Sequence, residues 1–230
     1  MSELSNKTAE LPWYRGPAFI LLVMLLSVYV VSTFFGHEGP GAYLIKALLM
    51  GSLILGVRGI TRSSRAKTLT LIIVVIGVVG QVTVNLFLEE DAFVWDTWMN
   101  LVIFVAVLVF LVSALVKAER VNADTVFAAS SVFVLLGIVC AYAFILVQAA
   151  DPTAFSLSDR DMVQPGTALL HYSFTTLTTV GYGSISPMSD VARMISDLEA
   201  LIAQLYLVVV LARLVSLEME HSRKTRGGEY

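Results

Sequence analysis

The chain has 230 residues, of which 57% are hydrophobic and 14% charged, and its mean hydropathy is +0.81. Soluble domains are about 45–50% apolar and about 25% charged, so these values exclude a soluble enzyme domain, a disordered chain and a collagen-like repeat. The net charge of −3 provides no electrostatic footprint for a nucleic-acid partner.

Apolar blocks of about 20 residues recur along the sequence, and a helix of this length crosses a hydrocarbon core of about 30 Å. The pattern predicts an all-α membrane protein with six transmembrane helices. The predicted spans are Pro17–Phe35, Ala42–Val57, Leu69–Phe87, Trp98–Val116, Val126–Ala149 and Val191–Leu214.

The loops between the predicted spans alternate in charge. The N-terminus, the loops after the second and fourth spans, and the C-terminal tail carry most of the lysine and arginine, whereas the other three loops are acidic. By the positive-inside rule both termini are cytoplasmic, as an even number of spans requires. We therefore expect a multi-pass protein of the plasma (inner) membrane. A candidate surface for anionic lipid headgroups follows the second span, at Arg58, Arg62, Arg65 and Lys67.

The stretch Gln164–Pro187 lies between the fifth and sixth spans, on the predicted outer side, and is too short to cross the membrane and return as two helices. Its first half, Thr167–Thr178, is moderately apolar and follows a proline and a glycine. This pattern predicts a short helix that begins after Gly166. The second half contains the pentapeptide Thr179–Gly183, with the sequence TVGYG.

This pentapeptide suits a site that removes water from a potassium ion. Such a site needs stacked rings of oxygens in place of the hydration shell. Consecutive backbone carbonyls point the same way only when alternate residues are left-handed, and Gly181 and Gly183 adopt that conformation at little steric cost. Val180 and Tyr182 would then point away from the ion, while Thr179 adds a hydroxyl oxygen at the inner mouth.

In these residues the sequence resembles the potassium channels, whose signature is TVGYG. The resemblance covers residues 167–214 well and the fifth span more loosely. It implies a re-entrant pore helix and selectivity filter in a homotetramer, because one chain carries one copy of the signature. It also implies K+ as the transported ion, bound at Thr179, Val180, Gly181 and Tyr182, with no organic cofactor and no enzyme chemistry.

The residues around the signature follow the family pattern only in part. Many members have an aspartate directly after TVGYG, where this chain has Ser184, and Thr175 stands where some small bacterial members have its glutamate partner. A hydroxyl pair therefore replaces a carboxylate pair. Tyr172 falls where the family often has an aromatic that braces the filter tyrosine, and core packing is the competing expectation. Thr178 is expected to support the filter together with Tyr172, Thr175 and Ser184.

Six spans with a pore between the last two also resemble voltage-gated potassium channels. The fourth span, Trp98–Val116, contains no Lys or Arg, whereas a voltage sensor needs repeated arginines, so we expect no steep voltage dependence. The expected organisation is a cytoplasmic N-terminus at residues 1–16, a sensor-like four-helix bundle without gating charges at 17–120, a pore domain at 121–217 and a short cytoplasmic tail at 218–230.

The sixth span carries the candidate gate or hinge. Ala203 lies where many relatives have a hinge glycine, and Gln204 is the polar residue beside it. Glu199 is expected to hydrogen-bond or ion-pair behind the pore, with Arg193 or a neighbouring subunit as its partner. Charged residues in a span are tolerated mainly when they face protein or water, so this helix is expected to lie inside an assembly.

Several alternatives stay open on the sequence. A non-selective cation channel is one, because selectivity depends on the shape of the filter and not on five letters alone. A non-conducting sensor or assembly subunit and an ion-coupled transporter are the others, although no inverted repeat is evident. His171 is a candidate pH-sensitive group on the outer side, Cys140 is expected to be a small buried hydrophobe, and the short chain is expected to be prokaryotic.

Overall fold

The computed structural model describes residues 16–35, 50, 51, 68, 75, 77, 80, 92–118 and 122–227. In this part of the chain the regular secondary structure is helical, and one isolated antiparallel bridge joins Phe155 and Pro187. The helices in chain order are α1 (Pro17–Phe35), α2 (Ala92–Val116), α3 (Ala123–Ala150), α4 (Asp159–Val163), α5 (Pro165–Leu177) and α6 (Asp190–Gly227).

Three described helices are long and apolar enough to cross a membrane, over Phe93–Val116, Ala123–Ala150 and Asp190–Ser216. They fit a helical membrane protein, as the hydropathy pattern predicts. α1 is a shorter apolar helix, and its bounds coincide with the first predicted span. The second and third predicted spans lie outside the described residues, apart from the helical residues 50, 51, 75, 77 and 80. The predicted lipid contacts Arg58, Arg62, Arg65 and Lys67 lie outside them as well.

The later helices are longer than their predicted spans because local hydrogen bonds extend them. In α2, which begins at Ala92, Asn100 Nδ2 donates to the Asp96 carbonyl at 2.8 Å and to Asp96 Oδ2 at 3.2 Å, so the polar residues fit within the helix. α3 begins at Ala123 because the side chain of Asn122 accepts from Thr125 N in a capping box. α6 continues as a helix beyond the predicted end of the sixth span and into the predicted tail.

α3 is the centre of the packing, since it contacts α1, α2, α5 and α6. α2 ends at Val116 and α3 begins at Ala123, and the two helices pack against each other within the chain. Helices this close in sequence are commonly antiparallel neighbours. The largest apolar cluster joins α3 to α1, α2 and α5, and its buried members include Leu21, Leu25, Phe104, Leu111, Leu135, Ile138 and Leu170.

Gly137 sets the distance between α3 and α5. A Cβ atom added at Gly137 would lie 3.1 Å from Leu177 Cδ2 and 3.4 Å from the Phe174 ring. Its carbonyl accepts a hydrogen bond from Ser173 Oγ at 2.7 Å. Small residues allow apolar helices to approach this closely, and a side chain at this position requires Leu177 and the Phe174 ring to shift.

α6 touches the rest of its own chain along one stripe. Ala192, Ser196, Glu199 and Ala203 are buried at intervals of three and four residues, which is the spacing of one helix face. Further along, Tyr206 OH donates to the Ala129 carbonyl of α3 at 2.7 Å. The large apolar residues on the other faces are exposed in the single chain, among them Leu198, Leu201, Leu205, Val208, Val209 and Leu211.

Arg213 ties α6 to the end of α2. Its Nη2 atom donates to the carbonyl of Val116, the last residue of α2, and at 3.1 Å to that of Ala118. Carbonyl groups at a helix C-terminus lack intrahelical partners and carry partial negative charge. A guanidinium group therefore satisfies them and links the bundle that precedes α3 to the last helix.

We expect Gly137→Val to lower the thermal stability of the purified protein in detergent, because the added atoms would overlap Leu177 and Phe174. Overpacking of this kind costs about 1–3 kcal/mol. Ala149→Val is the control, since Ala149 lies exposed near the end of the same helix and should melt like the wild type. Equal melting temperatures for Gly137→Val and the wild type would contradict the close contact of α3 with α5.

Candidate ion-conducting site

The signature segment, Thr179–Gly183, begins two residues after the end of α5. Pro165 is accepted in its first turn, where the missing N–H group has no intrahelical partner to lose. The helix spans Pro165–Leu177, whereas the predicted helix spans Thr167–Thr178. It therefore begins two residues earlier and ends one residue earlier than predicted. The short α4 before it is not among the predicted elements, although its capping box between Ser158 and Asp161 was a usable signal.

The signature segment folds back onto the C-terminal end of α5. Thr179 N donates to the Thr176 carbonyl at 3.0 Å, and Val180 N and Gly181 N both donate to the Thr175 carbonyl, at 2.9 and 3.2 Å. These bonds satisfy carbonyls that a helix end would otherwise leave unpaired. They also use the N–H groups at the start of the segment.

Alternate residues of the segment are left-handed, with φ values of 60° at Thr179, 54° at Gly181 and 75° at Gly183. The two glycines occupy the positions that the sequence indicates for this conformation, and they adopt it readily. Thr179 is the only non-glycine residue with a positive φ in the described part of the chain. A non-glycine residue in this region costs about 1–2 kcal/mol, and the hydrogen bonds to the end of α5 offset that cost.

The carbonyl groups of the segment are free of backbone partners. Among the described residues, no backbone N–H donates to a carbonyl of Thr179–Gly183. A Cβ atom added at Gly181 or Gly183 would meet nothing within 4 Å, so the segment is bordered by open space. The segment thus presents a run of oxygen acceptors while its first N–H groups are occupied. Such an arrangement suits a dehydrated cation and does not suit an anion.

Two side chains of the segment are uncovered in the single chain. Val180 is 52% exposed and Tyr182 is 73% exposed. The ring beside Tyr182 is that of His171, stacked at a centroid distance of 6.0 Å with an interplanar angle of 9°. His171 Nδ1 in turn lies 3.3 Å from Tyr29 OH of α1. The expected brace from Tyr172 is therefore not formed within one chain.

Tyr172 packs in the core behind the segment. Its hydroxyl donates to Ser196 Oγ of α6 at 2.7 Å, and its ring contacts those of Phe144 and Phe155 edge-on, at 5.2 and 5.4 Å. This position fixes α5 to α6 instead of supporting Tyr182 directly. The reason is rotation along α5, which places Tyr172 on the face toward α3 and α6 and His171 toward α1.

The hydroxyl pair expected between Thr175 and Ser184 is absent within the described chain. Thr175 Oγ1 donates to the Tyr172 carbonyl at 2.9 Å, and Thr178 Oγ1 donates to the Phe174 carbonyl at 2.6 Å. Threonine hydroxyls in helices often donate to a carbonyl of the preceding turn, and both threonine hydroxyls do so here. Ser184 is exposed.

The chain after the signature is pinned to the segment that follows α3. Ser186 N donates to Ser156 Oγ at 2.9 Å, and Ser156 N donates to the Ser186 carbonyl at 2.9 Å. Met188 N donates to the Ala154 carbonyl at 2.8 Å. The sequence carries no periodic signal for this short pairing, and it was not predicted. Both ends of the signature segment are therefore anchored, one to α5 and the other to the chain after α3.

The surface near this anchor carries the negative charge of Asp151. Asp151 follows the last residue of α3, and its Oδ1 atom accepts from Thr153 Oγ1 at 2.7 Å and from Thr153 N at 2.9 Å. The hydrogen bond from the Thr153 hydroxyl, followed by that from the backbone, holds the pKa of Asp151 below its usual value. A cavity of about 730 Å³ opens nearby between α1, α4 and α5.

The residues proposed as gate or hinge lie on α6. Ala203 is fully buried in a small cluster with Leu136 and Leu177, and α6 continues as a helix through it. Gln204 is exposed in the single chain. Glu199 is buried and its Oε1 atom lies 2.5 Å from Ser173 Oγ of α5.

Within one chain Glu199 does not pair with Arg193, and its hydrogen-bond contact is with Ser173; a partner in a neighbouring subunit stays a prediction. Arg193 lies 3.8 Å from Asp190 and donates through Nε to the Pro187 carbonyl at 3.3 Å. Six residues along a helix correspond to a rotation of about 240°, so Arg193 and Glu199 lie on different faces of α6. Burial and a hydroxyl partner from another helix determined the position of Glu199, and neither is visible in the sequence.

Residues 131–220 match the model of a protein family described as "Ion channel". The match begins within α3 and extends through α5, the signature segment and most of α6. This match supports the interpretation that the protein is an ion channel. Together with the three apolar helices, it indicates a membrane protein of ion transport, and a domain of this kind is not enzymatic. Searches of curated proteins and of solved structures found no match.

We expect Tyr172→Phe to lower the melting temperature in detergent, because it removes the hydrogen bond between α5 and α6. One such bond contributes about 1 kcal/mol. Ser196→Ala removes the other partner, and the double variant should lose little more than either single variant. Fully additive losses in this double-mutant cycle would show that the two side chains do not interact.

Proposed function

We propose that this chain forms a homotetrameric, potassium-selective channel that conducts K+ passively across the plasma membrane of a prokaryotic cell. The observation that carries the proposal is the alternation of left-handed residues along Thr179–Gly183, with its carbonyls free of backbone partners. K+ passes through rings of oxygens from Thr179, Val180, Gly181 and Tyr182. These oxygens replace the hydration shell, so transport involves no covalent chemistry.

The tetramer is supported by what one chain leaves uncovered. A single segment can contribute one oxygen to each ring, so a complete ring needs four chains around an axis. Val180, Tyr182 and the wide apolar surface of α6 are exposed in the single chain. Neighbouring subunits are the proposed cover for the two filter side chains, while α6 lines the path of the ion below the filter, with Ala203 and Gln204 as candidate gating positions.

Voltage is not the proposed trigger. α2, the helix at the position of a sensor, carries no Lys or Arg between Ala92 and Val116. Moving one elementary charge across 100 mV is worth about 2.3 kcal/mol, and without such charges the field does little work on α2. The proposed function is therefore a channel without steep voltage dependence.

The test is the reversal potential of the purified protein in a planar bilayer with K+ on one side and Na+ on the other. We expect a value near the K+ equilibrium potential for the wild type. Gly181→Ala should abolish selective current, because alanine is unfavourable at a φ of 54° even though space is open around it. Met188→Ala is the control, since Met188 is exposed just beyond the filter and should conduct like the wild type.

Three results would contradict the proposal. A reversal potential near zero with robust current would identify a non-selective cation channel and direct attention to the unpaired Ser184. Absence of both bilayer current and Rb+ flux into liposomes, in a preparation where a reference channel conducts, would identify a non-conducting subunit. Coupling of K+ flux to a second ion would identify a transporter.

A further inference from the structure

A buried carboxyl group joins three helices behind the signature segment. Glu199 of α6 is 1% exposed, and its Oε1 atom lies 2.5 Å from Ser173 Oγ of α5. The same Ser173 Oγ lies 2.7 Å from the Gly137 carbonyl of α3. The second oxygen, Glu199 Oε2, is buried without a hydrogen-bond partner among the described residues. We call Glu199, Ser173 and Gly137 the helix junction.

The two short contacts of the helix junction require two protons, so Glu199 must carry one of them. A serine hydroxyl has one proton to donate, yet Ser173 Oγ lies within hydrogen-bond distance of two oxygens. The Gly137 carbonyl can only accept. If Glu199 were ionised, it could only accept too, and one of the two short contacts would have no proton. A protonated Glu199 resolves this, because it donates to Ser173 and Ser173 donates to Gly137.

The surroundings supply no compensating positive charge in the described part of the chain. From α3 the thiol of Cys140 faces the carboxyl, and from α5 the hydroxyl of Ser173 does. On α6 itself Arg193 and Asp197 are exposed, and Arg193 lies beside Asp190. Burying an unpaired carboxylate at membrane depth is costly, so the neutral acid is the form that fits this site.

The helix junction is close to the anchor of the signature segment. Ser173 is two residues before Thr175, whose carbonyl accepts from Val180 N and Gly181 N. A displacement of α5 at Ser173 therefore moves the carbonyl that anchors the segment. If Glu199 loses its proton, the single proton of Ser173 can serve either the Glu199 carboxylate or the Gly137 carbonyl, but not both. The hydrogen-bond chain across the three helices is then broken, and α5 loses its bond to α6 or its bond to α3.

We propose that Glu199 is a neutral positioning residue that holds α5 against α6, and that loss of its proton loosens the filter, so that K+ current falls as the pH rises. This inference rests on the proposed function for its readout in current. The hydrogen-bond chain itself is a property of the fold and can be tested without any current.

The first test is infrared difference spectroscopy of the detergent-solubilised wild-type protein against Glu199→Gln. We expect the wild type at neutral pH to show the carbonyl stretch of a protonated carboxylic acid, and this band should be missing from Glu199→Gln. Asp197→Asn is the matched control, because Asp197 is an exposed acid two residues away on the same helix, and it should keep the band. Absence of the band from the wild type at neutral pH would overturn the proposal.

The second test is Rb+ flux into liposomes buffered symmetrically from about pH 6 to about pH 10, an interval in which buried carboxylic acids can titrate. The flux of the wild type and of Asp197→Asn should fall by a factor of about five or more across this interval. This factor corresponds to the free energy of one buried hydrogen bond. Glu199→Gln, whose amide can still donate to Ser173, should conduct with little dependence on pH. A pH dependence in Glu199→Gln equal to that of the wild type would overturn the proposal.

The two readouts separate this inference from the proposed function. Pronounced pH dependence with a reversal potential near zero would contradict K+ selectivity while supporting the role of Glu199. A protonated acid band together with flux that does not change with pH would show a neutral Glu199 that does not control the filter, and would overturn the coupling. Ser173→Ala gives an independent check, since it should reduce flux at low pH, where Glu199→Gln does not.

Discussion

Backbone hydrogen bonding is the constraint on which this molecule depends. In lipid each N–H and C=O group needs a partner within the protein, and helices provide it for most of the described chain. Thr179–Gly183 lies in the non-helical stretch between α5 and α6, and its first N–H groups donate to the carbonyls of Thr175 and Thr176. The position of α5 therefore determines the position of the free carbonyls, and contacts from α1, α3 and α6 determine the position of α5.

The sequence predicts the helices better than their ends. Apolar length alone identifies Pro17–Phe35 with its observed bounds, because solvation by lipid depends mainly on composition and length. The ends of the later helices depend on individual hydrogen bonds, such as the Asn122 cap of α3 and the Asn100 contact with Asp96 in α2. A span predicted from hydropathy ends at such polar residues, whereas the helix itself can continue through them.

Within the site, local conformation is predictable and long-range contacts are not. Gly181 and Gly183 indicate left-handed backbone because few other residues adopt it at low cost. Thr179 shares that conformation for a reason the sequence does not carry, namely the return of the chain onto α5. The partners of Tyr172 and Glu199 are equally hidden, because each is a serine on a helix that is distant in sequence and adjacent in space.

α6 has 38 residues, which at 1.5 Å per residue make a rod of about 57 Å, against about 30 Å for the hydrocarbon core. Part of this rod therefore lies beyond the span that ends at Ser216. Arg213, which donates to the carbonyl of Ala118 just after α2, lies three residues before that end. Along the chain, the contact with the end of α2 is therefore the first one that a displacement of α6 beyond Ser216 would meet, before the helix junction.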